Sequence, residues 1–316
     1  YITGNEQILL LSSIMNIVIL SRNPNLYSTS RLVQATRHLG HTPYVIDHLQ
    51  CDLVLESGQP QIFYGPGNMR LMHVHACIPR IGASVSFYGS AVVKQLELMG
   101  AYTPVRSDSI LLARNKLKSL QMIANSGLAF PKTIVSDQIQ NPGRSIDFIG
   151  GAPCIIKLLE GTHGHGVMLA ETKQAAISLI EAINTLKVKF MIQEFIAEAK
   201  GTDIRAFVVG GKVIASMKRT AKAGDFRSNL HQGGSAQKID LTAEQRNCAT
   251  KAAQILGLGV CGVDILPSKR GPLILEVNPS PGLEGIERTT NVNVAQSIIQ
   301  YIERKTKYRN ERKLNH

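Results

Sequence analysis

Short apolar runs alternate with amphipathic stretches along most of the chain, and this alternation predicts a mixed α/β protein. In the first hundred residues it predicts strands at 16–20, 43–46 and 76–81, with helices at 28–39 and 90–99. Two strands joined by a helix lie side by side and run in the same direction. The N-terminal part is therefore predicted to be a parallel α/β domain.

The middle of the chain predicts a smaller unit of helices and strands. One continuous helix is predicted over residues 110–125, and a polar connector around Asn141, Pro142 and Gly143. The other predicted elements of this unit are strands at 133–135, 154–159, 167–171 and 189–195 and a helix at 172–186.

The last third is rich in strands. Gly210 and Gly211 separate strands at 203–209 and 212–218, which is a hairpin signal. The remaining predicted elements are strands at 262–266 and 273–277 and helices at 242–256 and 292–304.

Domain boundaries follow from these changes of pattern. The predicted units are an extension outside the fold at 1–14, the N-terminal α/β domain at 15–105, a central region at 106–195, a C-terminal region at 196–304 and a basic tail at 305–316. Residues 8–20 are similar in length to the apolar core of a secretory signal. No basic residue precedes them and no small-residue cleavage site follows, so we favour a strand that begins just after Met15.

Charge and cysteine content narrow the functional class. The net charge is +12, of which residues 304–316 carry +5 in what we expect to be a frayed, solvated end. The remaining +7 indicates an anionic partner such as a nucleotide, an acidic peptide or RNA.

The five cysteines form no C-x-x-C pair, which is typical of reduced thiols in the cytoplasm and argues against structural zinc. No apolar segment reaches the ~20 residues of a membrane helix.

A glycine-rich turn is the first candidate for chemistry. In Glu160-Gly161-Thr162-His163-Gly164-His165-Gly166, the glycines let backbone N–H groups approach an anion, although a merely flexible turn would have the same composition. We expect the two histidines to be exposed donors near a nucleotide rather than metal ligands. Lys157 alternates with apolar neighbours on the preceding strand. It is either an exposed edge charge or a cation directed at phosphate, and its position beside the turn favours phosphate.

Three oxygen-bearing side chains are predicted to converge in the last hairpin. Glu276 and Asn278 share a face because they are two residues apart on a strand, and a turn near 269–270 places Asp264 opposite Glu276. Such hard oxygen ligands suit Mg²⁺, and a hydrogen-bonded surface pair is the alternative. His73 and His75 are predicted to share a strand face, but a third metal ligand is not evident there.

These residues occur in the order found in a known family. Lys116, Lys157, Gln193-Glu194-Phe195, Asp203-Ile204-Arg205, Asp264 and Glu276-x-Asn278 resemble the ATP-grasp superfamily. Three longer motifs are similar to its RimK-type α-L-glutamate ligases: Pro79-Arg80-Ile81-Gly82, Gly224-Asp225-Phe226-Arg227-Ser228-Asn229-Leu230-His231 and Glu276-Val277-Asn278-Pro279-Ser280-Pro281-Gly282-Leu283-Glu284-Gly285. The similarity covers residues 15 to about 304.

The resemblance implies an α/β (α+β) ATP-grasp fold preceded by a pre-ATP-grasp domain, with ATP and two Mg²⁺ or Mn²⁺ ions as cofactors. It implies addition of L-glutamate, through an acyl phosphate, to the acidic C-terminal tail of a ribosomal protein, the sixth of the small subunit, with poly-α-glutamate synthesis as a further activity. It also implies a cytoplasmic homo-oligomer, a tetramer, with no membrane contact and only indirect contact with RNA.

Roles for single residues also follow from the resemblance. The ATP site would comprise Lys116 and Lys157 on phosphates, Glu194 and Phe195 at the adenine, Asp203 near the ribose, and Gly161, Gly164, Gly166, Arg227, Ser228 and Asn229 around the nucleotide. The metal ligands would be Asp264, Glu276 and Asn278. Arg205 and, less directly, Arg219 would stabilise the anionic intermediates, with Asn278 also counted in the catalytic set. Asn115 departs from the family, which usually has Asp there, and so do His163 and His165, where Gln and an apolar residue are usual.

Three other functions stay open on the sequence. A related ligase could act on a small molecule or a carrier protein, since only the acceptor pocket would change. A nucleotide-binding module without catalysis is disfavoured by the intact set Asp264, Glu276 and Asn278. An RNA-binding protein is disfavoured because aromatic residues make up only 5% of the chain and tryptophan is absent.

Overall fold

The computed structural model describes residues 14–159, 166–222 and 233–314, with side chains as far as residue 307. The N-terminal elements are β1 (Asn16–Leu20), α1 (Tyr27–His38), β2 (Thr42–Ile46), β3 (Cys51–Val54), β4 (Gln61–Tyr64), β5 (Met69–Arg70), β6 (Ala76–Pro79) and α2 (Ser86–Leu98). Strands β2, β1 and β6 form a parallel sheet in that order, as predicted.

A second N-terminal sheet was not predicted. Strands β3, β4 and β5 form it in antiparallel order, and their short, half-exposed segments carry little hydrophobic periodicity. The prediction that His73 and His75 share a strand face is wrong, because both lie between β5 and β6 and His73 has a φ of +53°. The His75 ring accepts a hydrogen bond from the Asn16 backbone N–H at 2.9 Å.

The central elements are α3 (Ser107–Arg114), α4 (Lys116–Asn125), β7 (Thr133–Val135), α5 (Pro142–Phe148), β8 (Cys154–Leu158), β9 (Val167–Ala170), α6 (Lys173–Thr185) and β10 (Phe190–Glu194). Their antiparallel sheet has the order β7–β10–β8–β9. One face, which includes Ile156 and Ile192, packs on α5 and α6 in a core of its own. The opposite face therefore presents Lys157 and Gln193.

Two predictions for this region are wrong. The single helix at 110–125 is two helices, because Asn115 is extended (φ −81°, ψ 97°) and its side chain caps α4. The connector at Asn141 is the start of α5: the Asn141 side chain accepts from the Arg144 N–H and Pro142 occupies the first turn. Both helix starts use side-chain capping, which hydrophobic periodicity does not reveal.

The C-terminal elements are β11 (Thr202–Val209), β12 (Lys212–Thr220), β13 (Ser235–Lys238), α7 (Ala243–Ile255), β14 (Val260–Leu266), β15 (Leu273–Asn278), α8 (Glu284–Thr290) and α9 (Val294–Leu314). Their antiparallel sheet has the order β13–β12–β11–β14–β15, and both predicted hairpins, β11–β12 and β14–β15, are confirmed.

The last helix contradicts the prediction of a frayed end after residue 304. Helix α9 continues to Leu314, and Thr306 is buried and donates a hydrogen bond to the Ile302 carbonyl. Lysine and arginine are good helix formers, so a basic composition does not by itself end a helix.

A single apolar core joins the N-terminal parallel sheet to the five-stranded sheet. It includes Ile17 of β1, Leu32 of α1, Phe207 of β11, Val263 of β14 and Ile298 of α9. The five cysteines are buried and unpaired, and burial raises the pKa of the Cys248 thiol to about 11. The reduced state of these thiols in the cytoplasm stays a prediction. Within the described ranges no helix is both long and apolar enough to cross a membrane.

Candidate active site

Strand register collects five charged residues on one face of the five-stranded sheet. Arg205 of β11 lies opposite Asp264 of β14, which lies opposite Glu276 of β15. On the other side of β11, Asp203 lies opposite Arg219 of β12. Cross-strand partners share a face, so the predicted juxtaposition of Asp264 and Glu276 is confirmed. Two residues further along, Asn278 pairs with Gly262 on the same face.

The two arginines and two aspartates of this face form one ion-pair network. Arg205 donates from Nε and Nη2 to the two Asp264 carboxylate oxygens at 2.7 and 2.5 Å, and Arg219 binds Asp203 in the same way at 2.7 and 2.5 Å. Arg219 also reaches Asp264 Oδ2 at 2.9 Å. Although burial opposes ionisation, the two guanidinium groups hold the pKa of Asp264 well below its usual range. The carboxylate of Asp264 is therefore charged and fixed in orientation.

Glu276 lies within electrostatic range of Lys157, and the space that these two side chains border is the candidate cleft. Its side chain is exposed to solvent, yet protein atoms surround it closely enough that burial, together with the nearby Asp264 carboxylate, raises its pKa. The positive charges of Arg205, Lys157 and Arg219 oppose this rise. A closely surrounded group that water still reaches is accessible to a ligand. Repulsion between two adjacent carboxylates is relieved when a divalent cation binds them both.

The donor set on this hairpin fits a hard cation. Asp264 and Glu276 supply carboxylate oxygens, and Asn278 supplies an amide oxygen that is oriented by accepting from the Ser280 N–H at 3.0 Å. Oxygen donors of this kind fit Mg²⁺. Histidine, cysteine, aspartate and glutamate alone form no group of three that could hold a metal among the described residues, so a three-ligand site on this hairpin needs the Asn278 amide.

Two lysines line the cleft beside the glycine-rich turn. The Lys157 ammonium donates to the Gln193 side-chain oxygen at 2.6 Å, and Gln193 in turn donates to Thr133 Oγ1 at 2.8 Å. Burial, together with the charge of Lys116, lowers the pKa of Lys157 to about 8, while Glu276 opposes this. The Lys116 ammonium donates to the Leu159 carbonyl at 2.9 Å, which places it at the base of the turn.

The turn itself connects β8 and β9, which pair as an antiparallel hairpin. Gly166 has a φ of +78°, and a Cβ there would lie 2.9 Å from the Leu158 side chain, so this position requires glycine. The other expected residues of the turn and of the long loop, namely Gly161, His163, Gly164, His165, Arg227, Ser228 and Asn229, lie outside the described residues. Their expected contacts with the nucleotide stay predictions.

The structure gives Glu194 and Asp203 partners that the sequence did not indicate. The Glu194 carboxylate binds the Arg270 guanidinium at 2.7 and 2.8 Å and accepts from the Lys132 N–H at 3.1 Å, while Phe195 is half-buried beside it. The Asp203 carboxylate is buried against Arg219. The contacts expected of these residues with adenine and ribose stay predictions.

Three residues near these groups received no role from the sequence. Gln193 was named only as part of a motif, although its position on the same face as Lys157 is a signal that period-two alternation provides. Arg80, in the motif that follows β6, donates to the Pro281 carbonyl at 2.8 Å, and Arg114 donates to the Ile81 carbonyl at 3.0 Å. No motif marks Arg114.

Together these groups suit phosphoryl transfer. Carboxylate and amide oxygens can hold a divalent cation, ammonium groups can hold phosphates, and a guanidinium can stabilise a developing anion. Phosphoryl transfer depends mainly on such positioning and charge neutralisation.

Two family models match the chain and cover nearly all of it. The RimK PreATP-grasp domain matches residues 15–110, and the RimK-like ATP-grasp domain matches residues 113–302. Among curated proteins, the chain is 53% identical over 290 residues to a probable alpha-L-glutamate ligase of Maridesulfovibrio salexigens, covering 92% of this chain and 96% of that protein. It is 55% identical over 293 residues to a protein of the same description from Vibrio vulnificus, covering 93% and 97%.

Solved structures share the fold at lower identity. The ATP-grasp ligase PsnB, in complex with a phosphomimetic variant of its minimal precursor, Mg and ADP, has a TM-score of 0.72 at 21% identity and covers 93% of this chain and 99% of that chain. The macrocyclase MdnC of Microcystis aeruginosa MRC, bound to its precursor peptide MdnA, has a TM-score of 0.70 at 17% identity, covering 91% and 99%. These similarities confirm the predicted ATP-grasp fold.

Proposed function

Because the chain belongs to the RimK-like ATP-grasp family and is therefore an ATP-dependent ligase, we propose that it joins L-glutamate to the C-terminal carboxylate of an acidic polypeptide. The name of its relatives supports glutamate as the amino acid that is added. The resemblance of its motifs supports the tail of the sixth small-subunit ribosomal protein as the acceptor. The observation that carries the proposal is the opposition of Asp264 and Glu276 in a cleft that also contains Lys157.

The reaction needs activation of a carboxylate, whose oxygen is a poor leaving group. Transfer of the ATP γ-phosphoryl group to the acceptor carboxylate gives an acyl phosphate and ADP. The α-amino group of glutamate then attacks the acyl carbon, inorganic phosphate leaves with the bonding electrons, and the amine loses a proton as the peptide bond forms. None of these steps requires a covalent bond to the enzyme.

The described side chains support this chemistry by position and charge. Lys116 and Lys157 would hold ATP phosphates, and Arg205 would stabilise the negative charge of the intermediates. Arg219 is buried against Asp203 and Asp264, so it would act by fixing the Asp264 carboxylate rather than by touching substrate.

Asp264, Glu276 and Asn278 would hold Mg²⁺, which when bound neutralises phosphate charge. A second ion and the use of Mn²⁺ are further predictions, as are the cytoplasmic location and the tetramer.

Replacement of Glu276 tests the proposal. We expect Glu276→Ala to lower glutamate-dependent ADP release by at least about 10²-fold, because a carboxylate opposite Asp264 is lost from the cation site. Glu181→Ala, at an exposed position on α6, is the matched control and should keep full activity. ADP release that is undiminished in Glu276→Ala would contradict the assignment.

Identification of the acceptor needs a separate measurement. Incubation of the protein with ATP, Mg²⁺, labelled glutamate and a ribosomal fraction, followed by mass spectrometry, shows which protein gains glutamate and how many residues are added. Label that appears only on an added small molecule or carrier protein would support the alternative ligase instead.

A further inference from the structure

Two arginines beside the cleft lack a carboxylate partner. Arg80 follows β6, Arg114 ends α3, and both side chains are half-buried. Each donates one hydrogen bond to a backbone carbonyl, Arg80 to Pro281 and Arg114 to Ile81. Neither guanidinium has an acidic group within ion-pair distance in the part of the chain that the structure describes.

The hydrogen bonding of Arg114 is also incomplete. The Arg114 Nε atom is buried and has no acceptor among the described residues. Burial, together with the charge of Arg114, lowers the pKa of Arg80 to about 10. Two neighbouring cations are unfavourable in a partly buried place, and so is the unused donor of Arg114; a bound anion would relieve both costs.

The location of the pair ties it to the reaction centre. Arg114 is two residues before Lys116, and its guanidinium interacts electrostatically with Glu276. Arg80 holds the carbonyl of Pro281, three residues after Asn278. Ser280 also donates to the Pro79 carbonyl at 3.3 Å, so the segment after β15 is bonded to the end of β6. The pair therefore lies where the N-terminal domain meets the cation-binding hairpin.

We propose that Arg80 and Arg114 bind a carboxylate of a substrate other than ATP. The planar guanidinium group matches the geometry of a carboxylate and gives charge-assisted hydrogen bonds. The carboxylate belongs either to free glutamate or to the C-terminal residue of the acceptor, which present the same chemistry. This assignment rests on the proposed function, because it takes the substrates from it.

The test measures the KM for each substrate separately. Arg80→Gln and Arg114→Gln remove the charge and keep a side chain that can still donate to a backbone carbonyl. With ATP, Mg²⁺, glutamate and a synthetic acidic peptide ending in glutamate, we expect a rise of about tenfold or more in the KM for glutamate or for the peptide. The KM for ATP should stay within about twofold. The substrate whose KM rises is the source of the carboxylate.

Controls separate this role from a structural one. Arg144→Gln, at an exposed arginine of α5, should change none of the three KM values. Arg80→Lys and Arg114→Lys keep the charge and should recover part of the affinity. If both Gln variants keep wild-type KM values for glutamate and peptide, or raise the KM for ATP equally, the assignment is wrong.

A binding measurement distinguishes failure of this assignment from failure of the proposed function. Wild-type protein that shows no glutamate-dependent ADP release with peptide or ribosomal fraction would contradict the proposed function. Calorimetric titration of the ADP- and Mg²⁺-loaded protein with L-glutamate and with the peptide still tests the site. Binding that weakens in both Gln variants but not in Arg144→Gln supports the site. Equal binding in all proteins, or no binding of either probe to the wild type, overturns it.

Discussion

At the residue scale, Lys157 is positioned to bind an anion. Its ammonium is held by Gln193 and its pKa lies near 8 because burial disfavours the charged form. Since this value is below that of an unfolded lysine, the folded chain binds fewer protons between about pH 8 and 10.5. The group therefore reduces stability below about pH 8, and this cost disappears as the pH rises through 10.5. A bound phosphate would restore the charged form.

This pKa predicts a pH dependence of ATP use. We expect kcat/KM for ATP to fall as the pH rises through about 8, because the free enzyme loses the charge of Lys157. In Lys157→Arg the charge is permanent, so this part of the pH profile should be flat even if the overall rate is lower. Lys212→Arg, at an exposed lysine of β12, should keep the wild-type profile. The same decline in Lys157→Arg as in the wild type would assign the titration to another group.

At the element scale, the break between α3 and α4 places Lys116. The side chain of Asn115 accepts from the Lys118 N–H at 2.9 Å and begins α4 at Lys116 itself. The Lys116 ammonium then reaches the Leu158 and Leu159 carbonyls at the base of the glycine-rich turn. A continuous helix would place this lysine elsewhere, so the cap serves the site as well as the helix.

We predict that Asn115→Ala costs about 1 kcal/mol of unfolding free energy and raises the KM for ATP several-fold. Asn141→Ala is the matched control because Asn141 caps α5 in the same way, with its side chain 3.0 Å from the Arg144 nitrogen. It should lose similar stability and leave the KM for ATP unchanged. Urea unfolding and steady-state kinetics measure the two quantities. An equal change of the KM for ATP in both variants would show that Asn115 affects ATP binding only through the stability of the fold.

The sequence predicted those elements whose signal is periodic and local. Strands β1 and β7 have the predicted limits. The opposition of Asp264 and Glu276 followed from the alternation of side chains along a strand and from the turn near residues 269–270. The start of α4 depends on a single hydrogen bond that the Asn115 side chain accepts from the Lys118 N–H, and the apolar pattern of residues 110–125 conceals it. The contact of Arg205 with Asp264 depends on the register of β11 against β14, two strands that are distant in sequence, so spacing along the chain could not predict the ion-pair network.

At the scale of the whole molecule, Glu287 of α8 connects the two ends of the chain. Its carboxylate accepts from the Tyr27 hydroxyl at 3.0 Å, from Arg31 Nε at 2.9 Å and from the Ala295 N–H at 3.0 Å. Tyr27 and Arg31 belong to α1 of the N-terminal domain, so this buried carboxylate fixes α1 against α8 and α9. Ser28 of the same helix accepts from the Leu283 N–H at 2.9 Å, two residues after the Pro281 carbonyl that Arg80 holds.

This arrangement predicts a large effect far from the cleft. Glu287→Ala should cost about 3 kcal/mol of unfolding free energy, because it leaves the partly buried Arg31 unpaired and the Ala295 N–H without its acceptor. Glu284→Ala removes the exposed pair with Arg288 on the same helix and should cost less than about 1 kcal/mol. Urea unfolding followed by circular dichroism measures both. Because one apolar core joins the two domains, each variant should still unfold in a single transition. Losses of equal size would show that this carboxylate does not hold the domains together. A separate early transition of the N-terminal domain in Glu287→Ala would show that the shared apolar core does not couple the domains without it.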